Sequence, residues 1–314
     1  MHRRNALVLG SIAAAVLVTG CGGGSDTSAP TTPQNIVELA QSVPDLSILV
    51  EAVVAAGLVD TLKSAGPFTV FAPTNAAFAA LLTELGLTKA QLLADTALLK
   101  AVLTYHVLPA KVEKAQVPLG KAITTVQGGI LKIESSGGVL TITDGRNRTS
   151  RLLATDIQAS NGVIHTIDKV ILPANKNIVQ TAQSLPQFSV LVEAVVAANL
   201  QGTLSGAGPF TVFAPTNDAF TALLAELNLT KAALLANTAL LTKVLTYHVL
   251  PARVLKADVP FNTPITTVQG ETFTVSASFV ITDQRSRTAN IITTDVFTSN
   301  GVIHAIDKVI LPRP

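Results

Sequence analysis

The chain is poor in cysteine, aromatic residues and charge. Its 314 residues include one cysteine, no tryptophan and two tyrosines, and only 13% of them are charged. One thiol cannot form an internal disulfide bond, and two tyrosines offer little surface on which bases or sugars could stack. Without residues 1–20, the chain has 22 − 2 = 20 basic and 20 acidic residues. No broad positive field remains, so we expect no nucleic-acid partner.

The N-terminus carries the pattern of an export signal. His2, Arg3 and Arg4 precede an apolar run of 13 residues, 6–18. A membrane-spanning helix needs about 20 apolar residues, so the run predicts a signal peptide over residues 1–20.

The single cysteine follows this run directly. Residues 17–21, Leu-Val-Thr-Gly-Cys, resemble a bacterial lipobox, which implies cleavage before Cys21 and a lipid on its sulfur. The alternative is an ordinary signal peptide that leaves an idle cysteine. Residues 21–34 are rich in Gly, Ser, Thr and Pro and predict a flexible tether. Because Gly22 follows the cysteine, the resemblance implies the outer membrane in a bacterium with two membranes. The expected partners therefore include a membrane, bound through the lipid.

The rest of the chain is a duplication. Residues 66–75, 103–109 and 160–165 return as residues 208–217, 245–251 and 299–304. The offset is 208 − 66 = 142 for the first two segments and 299 − 160 = 139 for the third, so the copies differ by three residues between Gly128 and Ile142 of the first. Repeats of roughly 20–50 residues build solenoids, whereas this unit has the size of a domain. Two domains are predicted, residues 35–173 and 177–314.

Within one unit, helical patterns come early and strand patterns late. The apolar spacing of Leu46, Leu49, Val50 and Val53 predicts a helix, with Asp45 as its cap. Further helices are predicted at 76–85, 89–93 and around 98–103, and strands at 68–72, 111–117, 123–127, 130–134, 139–143, 152–158 and 163–171. This order favours an α+β fold.

Three motifs of each unit resemble the fasciclin-like (FAS1) domain. They are residues 69–75 (TVFAPTN), Tyr105-His106, and residues 161–168 (NGVIHTID), and all three recur in order in the second unit. The resemblance implies two tandem domains, each a β-sandwich-like wedge with flanking helices. It also implies a role in adhesion or matrix attachment, usually without catalysis.

The resemblance points to residues that contact a partner. In the family, a Tyr-His pair and an Asp-Ile pair are associated with adhesion. They match Tyr105, His106, Asp156 and Ile157 here, with Tyr247, His248 and Asp295 in the second copy. Val296 follows Asp295 in place of isoleucine, which leaves that copy's contribution open. For Tyr105, the alternative is a side chain that fills the core and hydrogen-bonds through its hydroxyl.

The histidines also raise the question of a metal or acid–base site. Neither His-x-x-x-His nor Cys-x-x-Cys spacing occurs, so neither a metal nor another cofactor is expected. His165 shares a strand face with Val163 and Ile167, which favours a buried imidazole with a hydrogen-bond partner. The motif residues interpreted as structural are Asn161, Gly162, His165 and Asp168, with Asn300, Gly301, His304 and Asp307.

The basic residues Arg146, Arg148 and Arg151 are interpreted as a solvated hairpin face, with a polyanion contact as the alternative.

Taken together, the sequence predicts a non-enzymatic, lipid-anchored envelope protein. Its function would be adhesion, or association with a surface protein, matrix or polysaccharide. The alternative is a binder of small ligands or polysaccharide, with a cryptic hydrolytic activity.

Overall fold

The computed structural model describes residues 33–314. The predicted signal peptide, Cys21 and nearly all of the tether lie outside the described residues. Residues 34–314 form one compact unit in which the two repeats are in contact.

The first repeat contains six α-helices and eight strands. The helices are α1 (Ile36–Ser42), α2 (Ser47–Ala55), α3 (Val59–Lys63), α4 (Asn75–Leu85), α5 (Lys89–Ala94) and α6 (Thr96–Tyr105). The strands are β1 (Phe68–Pro73), β2 (Val107–Leu108), β3 (Ala122–Thr124), β4 (Ile130–Ser136), β5 (Val139–Thr143), β6 (Thr149–Arg151), β7 (Ile157–Ala159) and β8 (Gly162–Ile167).

The second repeat has the same order. Its helices are α7 (Ile178–Gln183), α8 (Ser189–Ala197), α9 (Gln201–Leu204), α10 (Asn217–Leu227), α11 (Lys231–Ala236) and α12 (Thr238–Tyr247). Its strands are β9 (Phe210–Pro215), β10 (Val249–Leu250), β11 (Ile265–Thr266), β12 (Thr272–Val275), β13 (Val280–Thr282), β14 (Thr288–Thr298) and β15 (Gly301–Ile306). Between residues 33 and 314, every helix is too short or too polar to span a bilayer.

The strands pair in the same way in both repeats, with one difference. The first repeat has two sheets, in the orders β2-β1-β8-β7 and β3-β4-β5-β6. In the second repeat, the long strand β14 takes the place of β6 and β7, and a seven-stranded sheet results, β10-β9-β15-β14-β13-β12-β11. With the helices beside these sheets, the predicted α+β fold is confirmed.

A glycine allows the central parallel pair of the first repeat to form. Phe68 of β1 lies opposite Gly162 of β8. A Cβ atom on Gly162 would lie 2.1 Å from the carbonyl oxygen of Phe68, which no side chain tolerates. The glycine at the start of β8 is thus explained by the close approach of the two backbones.

In each repeat, the central parallel strands have an apolar core on both sides. Successive residues of a strand point to opposite sides, so one strand contributes to both cores. In the first repeat, Val70 and Ala72 of β1 pack against the helices. Phe71 faces the other way and packs with Tyr105 and Ile133. Phe71 is 1% exposed, so the interpretation of residues 68–72 as a buried strand is confirmed.

Two predicted strands and one predicted cap are wrong. Residues 111–117 form a loop with a single 3-10 turn, because the main-chain N–H groups of Val112 and Lys114 donate to side chains of other segments, at Thr69 and Asp156. Residues 152–158 do not form one strand: Leu152 makes only an isolated bridge to Ile167, and β7 begins at Ile157. Asp45 lies within a 3-10 turn, and α2 begins after Leu46 without a side-chain cap.

Candidate functional site

The Tyr-His motif lies inside the domain. Tyr105 is the last residue of α6, and its hydroxyl donates a hydrogen bond of 2.5 Å to the carbonyl oxygen of Ile130. Tyr105 is 0% exposed and His106 is 1% exposed. In the folded domain, neither side chain is within reach of a partner at the surface. This burial runs against the expectation of direct adhesive contact.

His106 is held as a neutral imidazole. Its Nε2 accepts the N–H of Ile171 at 3.1 Å, so its Nδ1–H donates to the carbonyl oxygen of Val102 at 2.7 Å. Burial lowers the pKa of His106 to about 4. Tyr247 and His248 are buried in the same way in the second repeat, where burial also lowers the pKa of His248 to about 4.

His165 of β8 is also buried and fully hydrogen-bonded. Its Nδ1 accepts the N–H of Asp156 at 3.1 Å, and its Nε2–H donates to the carbonyl oxygen of Val112 at 2.9 Å. The imidazole therefore connects β8 to segments 111–117 and 152–158, which the sequence pattern had predicted to be strands. His304 makes the same pair of contacts, with Asp295 and Val254. Burial lowers the pKa of His304, which also favours the neutral ring.

Asn161 joins three elements of the first repeat. Its side-chain oxygen accepts the N–H of Ile36 at the start of α1, at 3.0 Å. Its side-chain nitrogen donates to the carbonyl oxygens of Leu62 and Ser64, each at 2.8 Å. Asn300 repeats this set of contacts in the second repeat.

Asp168 and Asp307 hold the far end of the same motif. The Asp168 carboxylate accepts the hydroxyl of Ser150 at 3.1 Å and the N–H of Arg151 at 2.7 Å. Asp307 accepts the main-chain and side-chain N–H groups of Asn290, at 2.7 and 2.6 Å. In both repeats the carboxylate connects the end of the central strand to a neighbouring strand.

Asp156 and Asp295 occupy corresponding positions, but their surroundings differ. Both have a left-handed backbone, with φ of 61° and 59°. Each accepts one main-chain N–H at 2.8 Å, from Lys114 and Lys256 respectively. Asp295 also pairs with the ammonium group of Lys132, at 2.8 Å. Asp156 is partly exposed and makes no ion pair with any residue between 33 and 314.

The Lys132–Asp295 pair crosses from the first repeat to the second. The side chain of Lys132 is 8% exposed and that of Asp295 is 2% exposed. Burial alone would lower the pKa of Lys132, but the hydrogen bonds and negative charges of Asp295 and Glu134 outweigh it and raise that pKa. The lysine is therefore a buried cation, neutralised mainly by a carboxylate of the other repeat.

Two further contacts lie in this interface. The Asn147 side chain accepts the N–H of Phe297 at 2.6 Å and donates to its carbonyl oxygen at 3.1 Å, as a paired strand would. Beside it, Ile130 of the first repeat packs with Leu255, Phe297 and Val302 of the second. Asp295, predicted as an adhesion residue, thus lies within a contact between the repeats.

Sequence reasoning missed these interface residues. Lys132 stands between apolar residues of β4. A lysine is almost never fully buried without a partner, so this position in the sequence could have indicated a buried ion pair. Asn147 carries no comparable signal in the sequence.

The basic cluster is less solvated than its sequence suggests. Arg148 donates to the carboxylate of Glu84 at 3.0 Å and to the carbonyl oxygen of Val170 at 2.8 Å. In the second repeat, Arg287 pairs with Glu226 at 2.7 Å. Arg148 therefore connects the β5–β6 turn to α4, whereas Arg151 remains exposed.

A buried carboxylate that sequence reasoning missed organises this turn. Asp144 accepts the main-chain N–H groups of Arg146, Arg148 and Leu172, each at 2.9 Å. Burial raises the pKa of Asp144, and these N–H groups act against that rise. Asp283 has the matching contacts in the second repeat.

Within residues 33–314, no group of three or more His, Cys, Asp or Glu side chains is arranged to hold a metal ion.

Comparisons with known proteins agree with the duplicated motifs. The Fasciclin domain family matches twice, at residues 44–173 and 186–312. The transforming growth factor-beta-induced protein ig-h3 of Sus scrofa is 32% identical over 253 residues, which are 80% of this chain and 35% of that protein. Protein sll1483 of Synechocystis sp. is 46% identical over 149 residues, which are 46% of this chain and 77% of that protein.

A solved structure of a FAS1 domain pair from the insect cell adhesion molecule Fasciclin I covers 85% of this chain at 18% identity, with a TM-score of 0.43. The chain spans about a third of the length of ig-h3. Since the two family matches together cover most of the sequence, the chain belongs to the fasciclin domain family and carries that domain twice.

Proposed function

We propose that this protein is a non-enzymatic, lipid-anchored component of a bacterial cell envelope. It mediates adhesion, or association with a surface or matrix, and the first repeat supplies the contact. The observation that carries the assignment to the first repeat is the difference between Asp156 and Asp295. The first is partly open, whereas the second is buried against Lys132.

The residues around Asp156 are mostly polar and accessible, whereas those around Asp295 are mostly apolar and covered. Glu113, Asp156, Ile157 and Gln158, here called the Asp156 face, form a surface that is polar except for a half-buried isoleucine. The corresponding positions of the second repeat are Leu255, Asp295, Val296 and Phe297, and the first repeat packs against three of them. The surface of the second repeat is covered by the first repeat and cannot contact another protein, whereas the Asp156 face is accessible to a partner.

The motif histidines support a role without catalysis. A general base needs a free nitrogen within hydrogen-bond reach of its substrate. Both ring nitrogens of His106 and His165 are already bonded to main-chain groups inside the core. The same holds for their counterparts in the second repeat.

The anchor is tested by Cys21→Ser. We expect this change to abolish incorporation of a labelled fatty acid and to move the protein from the membrane fraction to the soluble fraction. A wild-type protein that is soluble and unlabelled would contradict the lipid anchor. In a bacterium with two membranes, we expect the wild-type label in the outer membrane.

The contact face is tested by Asp156→Asn. The amide keeps an oxygen for the N–H of Lys114 and removes the charge. We expect weaker attachment of cells or protein-coated beads to the envelope or matrix material, with an unchanged melting temperature. Asp60→Asn, at an exposed residue of α3, is the matched control for loss of one charge. Equal attachment by both variants and the wild type would contradict the assignment of this face.

A further inference from the structure

Each repeat contains a cavity between three of its helices. In the first repeat, it lies among α4, α5 and α6 and has a volume of about 220 Å³. In the second, it lies among α10, α11 and α12 and has a volume of about 250 Å³. All the lining side chains are leucine, valine or phenylalanine, except one arginine in each cavity, Arg146 and Arg285.

The two cavities match residue by residue. Every lining residue of the first has the same residue type at the corresponding position of the second, at the offset of 142 or 139. The surrounding helices do differ, for example at Ala76 and Asp218 and at Ala79 and Thr221, outside the linings. The cavity is thus a shared property of the two repeats, in contrast to the Asp156 face.

The cavities have apolar rims that reach solvent. Leu85 in the first repeat is 36% exposed, and Leu229 in the second is 38% exposed. Both residues also line their cavity. An apolar surface that continues from the interior to an exposed leucine suits a ligand that enters by an apolar end.

The arginine at each cavity is held by one hydrogen bond to the main chain and has no acidic partner among residues 33–314. The Nε–H of Arg146 donates to the carbonyl oxygen of Pro173 at 3.3 Å, and that of Arg285 to Pro312 at 2.8 Å. Neither guanidinium forms an ion pair with a residue in the described range 33–314, and their terminal nitrogens make no hydrogen bond there. Arg148 and Arg287, two residues further on, instead bind Glu84 and Glu226.

We propose that each cavity binds a fatty acid, with its hydrocarbon chain among the leucines and its carboxylate on Arg146 or Arg285. Burial of each methylene group favours the complex. The planar guanidinium offers two parallel donors to a carboxylate. Burial and the neighbouring Arg148 lower the pKa of Arg146 against the opposing charges of Asp144 and Glu84, and an anion bound at the guanidinium would favour its charged form.

The test measures binding of decanoate, below its micelle concentration, by equilibrium dialysis. The full-length Cys21→Ser chain is used, so that no lipid attached at Cys21 competes. We expect saturation at two decanoate molecules per chain. Decanol, which has the same chain without the charge, should bind at least about tenfold more weakly, because it lacks the charged hydrogen bonds. Absence of saturable decanoate binding, or equal binding of decanol, would overturn the proposal.

Variants then locate the sites. Arg146→Gln should weaken one of the two sites about tenfold or more, and Arg285→Gln the other. Arg151→Gln removes an exposed arginine that does not line the cavity and should change nothing. An equal effect of Arg151→Gln and Arg146→Gln would show that general charge attracts the ligand, and the proposal would fail.

A second variant tests the cavity without altering charge. Leu85→Trp enlarges a partly exposed rim residue of the first repeat and should reduce the stoichiometry from two molecules to one. Circular dichroism checks that the variant remains folded. If the folded variant still binds two decanoate molecules, the ligand lies elsewhere.

Discussion

Removal of the Lys132 ammonium should uncouple the two repeats. Lys132→Met retains most of the apolar stem but leaves the Asp295 carboxylate, 2% exposed, with only the N–H of Lys256 as a partner. Breaking a buried ion pair by removal of one partner costs about 3–5 kcal/mol. We expect the free energy of unfolding of the second repeat, which retains the unpaired carboxylate, to fall by about this amount.

The opposite change should cost less. Asp295→Asn keeps an oxygen for the N–H of Lys256, and Lys132 keeps Glu134, 3.0 Å away, as a counter-charge. We expect a loss of about 1–3 kcal/mol for this variant. The double variant Lys132→Met/Asp295→Asn should lose less than the sum of the two single changes, because the second change removes the unpaired charge left by the first.

Urea unfolding and calorimetry measure these effects. The wild type should unfold with the two repeats coupled, and Lys132→Met should give two separate transitions. Thr274→Met is the matched control, since Thr274 occupies the corresponding strand position of the second repeat and does not belong to the apolar cluster between the repeats. If Lys132→Met unfolds at the same urea concentration as the wild type, the pair is solvated and this reasoning fails.

Three further predictions concern the cores. Phe71→Ala, at a residue that is 1% exposed, should lower the free energy of unfolding by about 3–5 kcal/mol, and an unmoved calorimetric transition would contradict its burial. Tyr105→Phe should cost about 1–3 kcal/mol, because the carbonyl oxygen of Ile130 loses its partner, while surface attachment per folded molecule stays constant. The pKa values of His106 and His248 are about 4 in the folded state and about 6.5 in the unfolded state, so the unfolded chain binds more protons between these pH values. The free energy of unfolding should therefore fall by about 3 kcal/mol per histidine as the pH drops from about 6.5 to about 4, and a flat profile in urea titrations would refute the neutral buried rings.

Features set by local chemistry were predictable from the sequence. The apolar, β-prone residues of β1 lie between Gly66-Pro67 and a turn, and that strand was found where expected. Threonine is a favoured residue just before a helix, and the hydroxyl of Thr74 accepts the N–H of Ala77 at the start of α4. The position of His165 on an apolar strand face pointed to a buried imidazole, and the side chain is 1% exposed.

Features set by distant partners were not predictable. Residues 111–117 have a strand-like pattern, yet their N–H groups bind Thr69 and Asp156, which are far away in the sequence. Threonine precedes both Asp156 and Asp295, and neither neighbouring sequence contains the lysine that pairs with only one of them. The difference arises from Lys132, 163 residues before Asp295.

The contact between the repeats also limits how copies of this protein assemble. A surface of the first repeat contacts a different surface of the second repeat. A head-to-tail contact of this kind produces a filament when every domain carries both surfaces. Here, Glu113 and Gln158 of the first repeat stand where the second has Leu255 and Phe297. Thr272 and Thr274 of the second repeat likewise stand where the first has Ile130 and Lys132. The outer faces of the pair therefore lack the groups that join its middle, so we expect copies of these two repeats not to associate through the same contact.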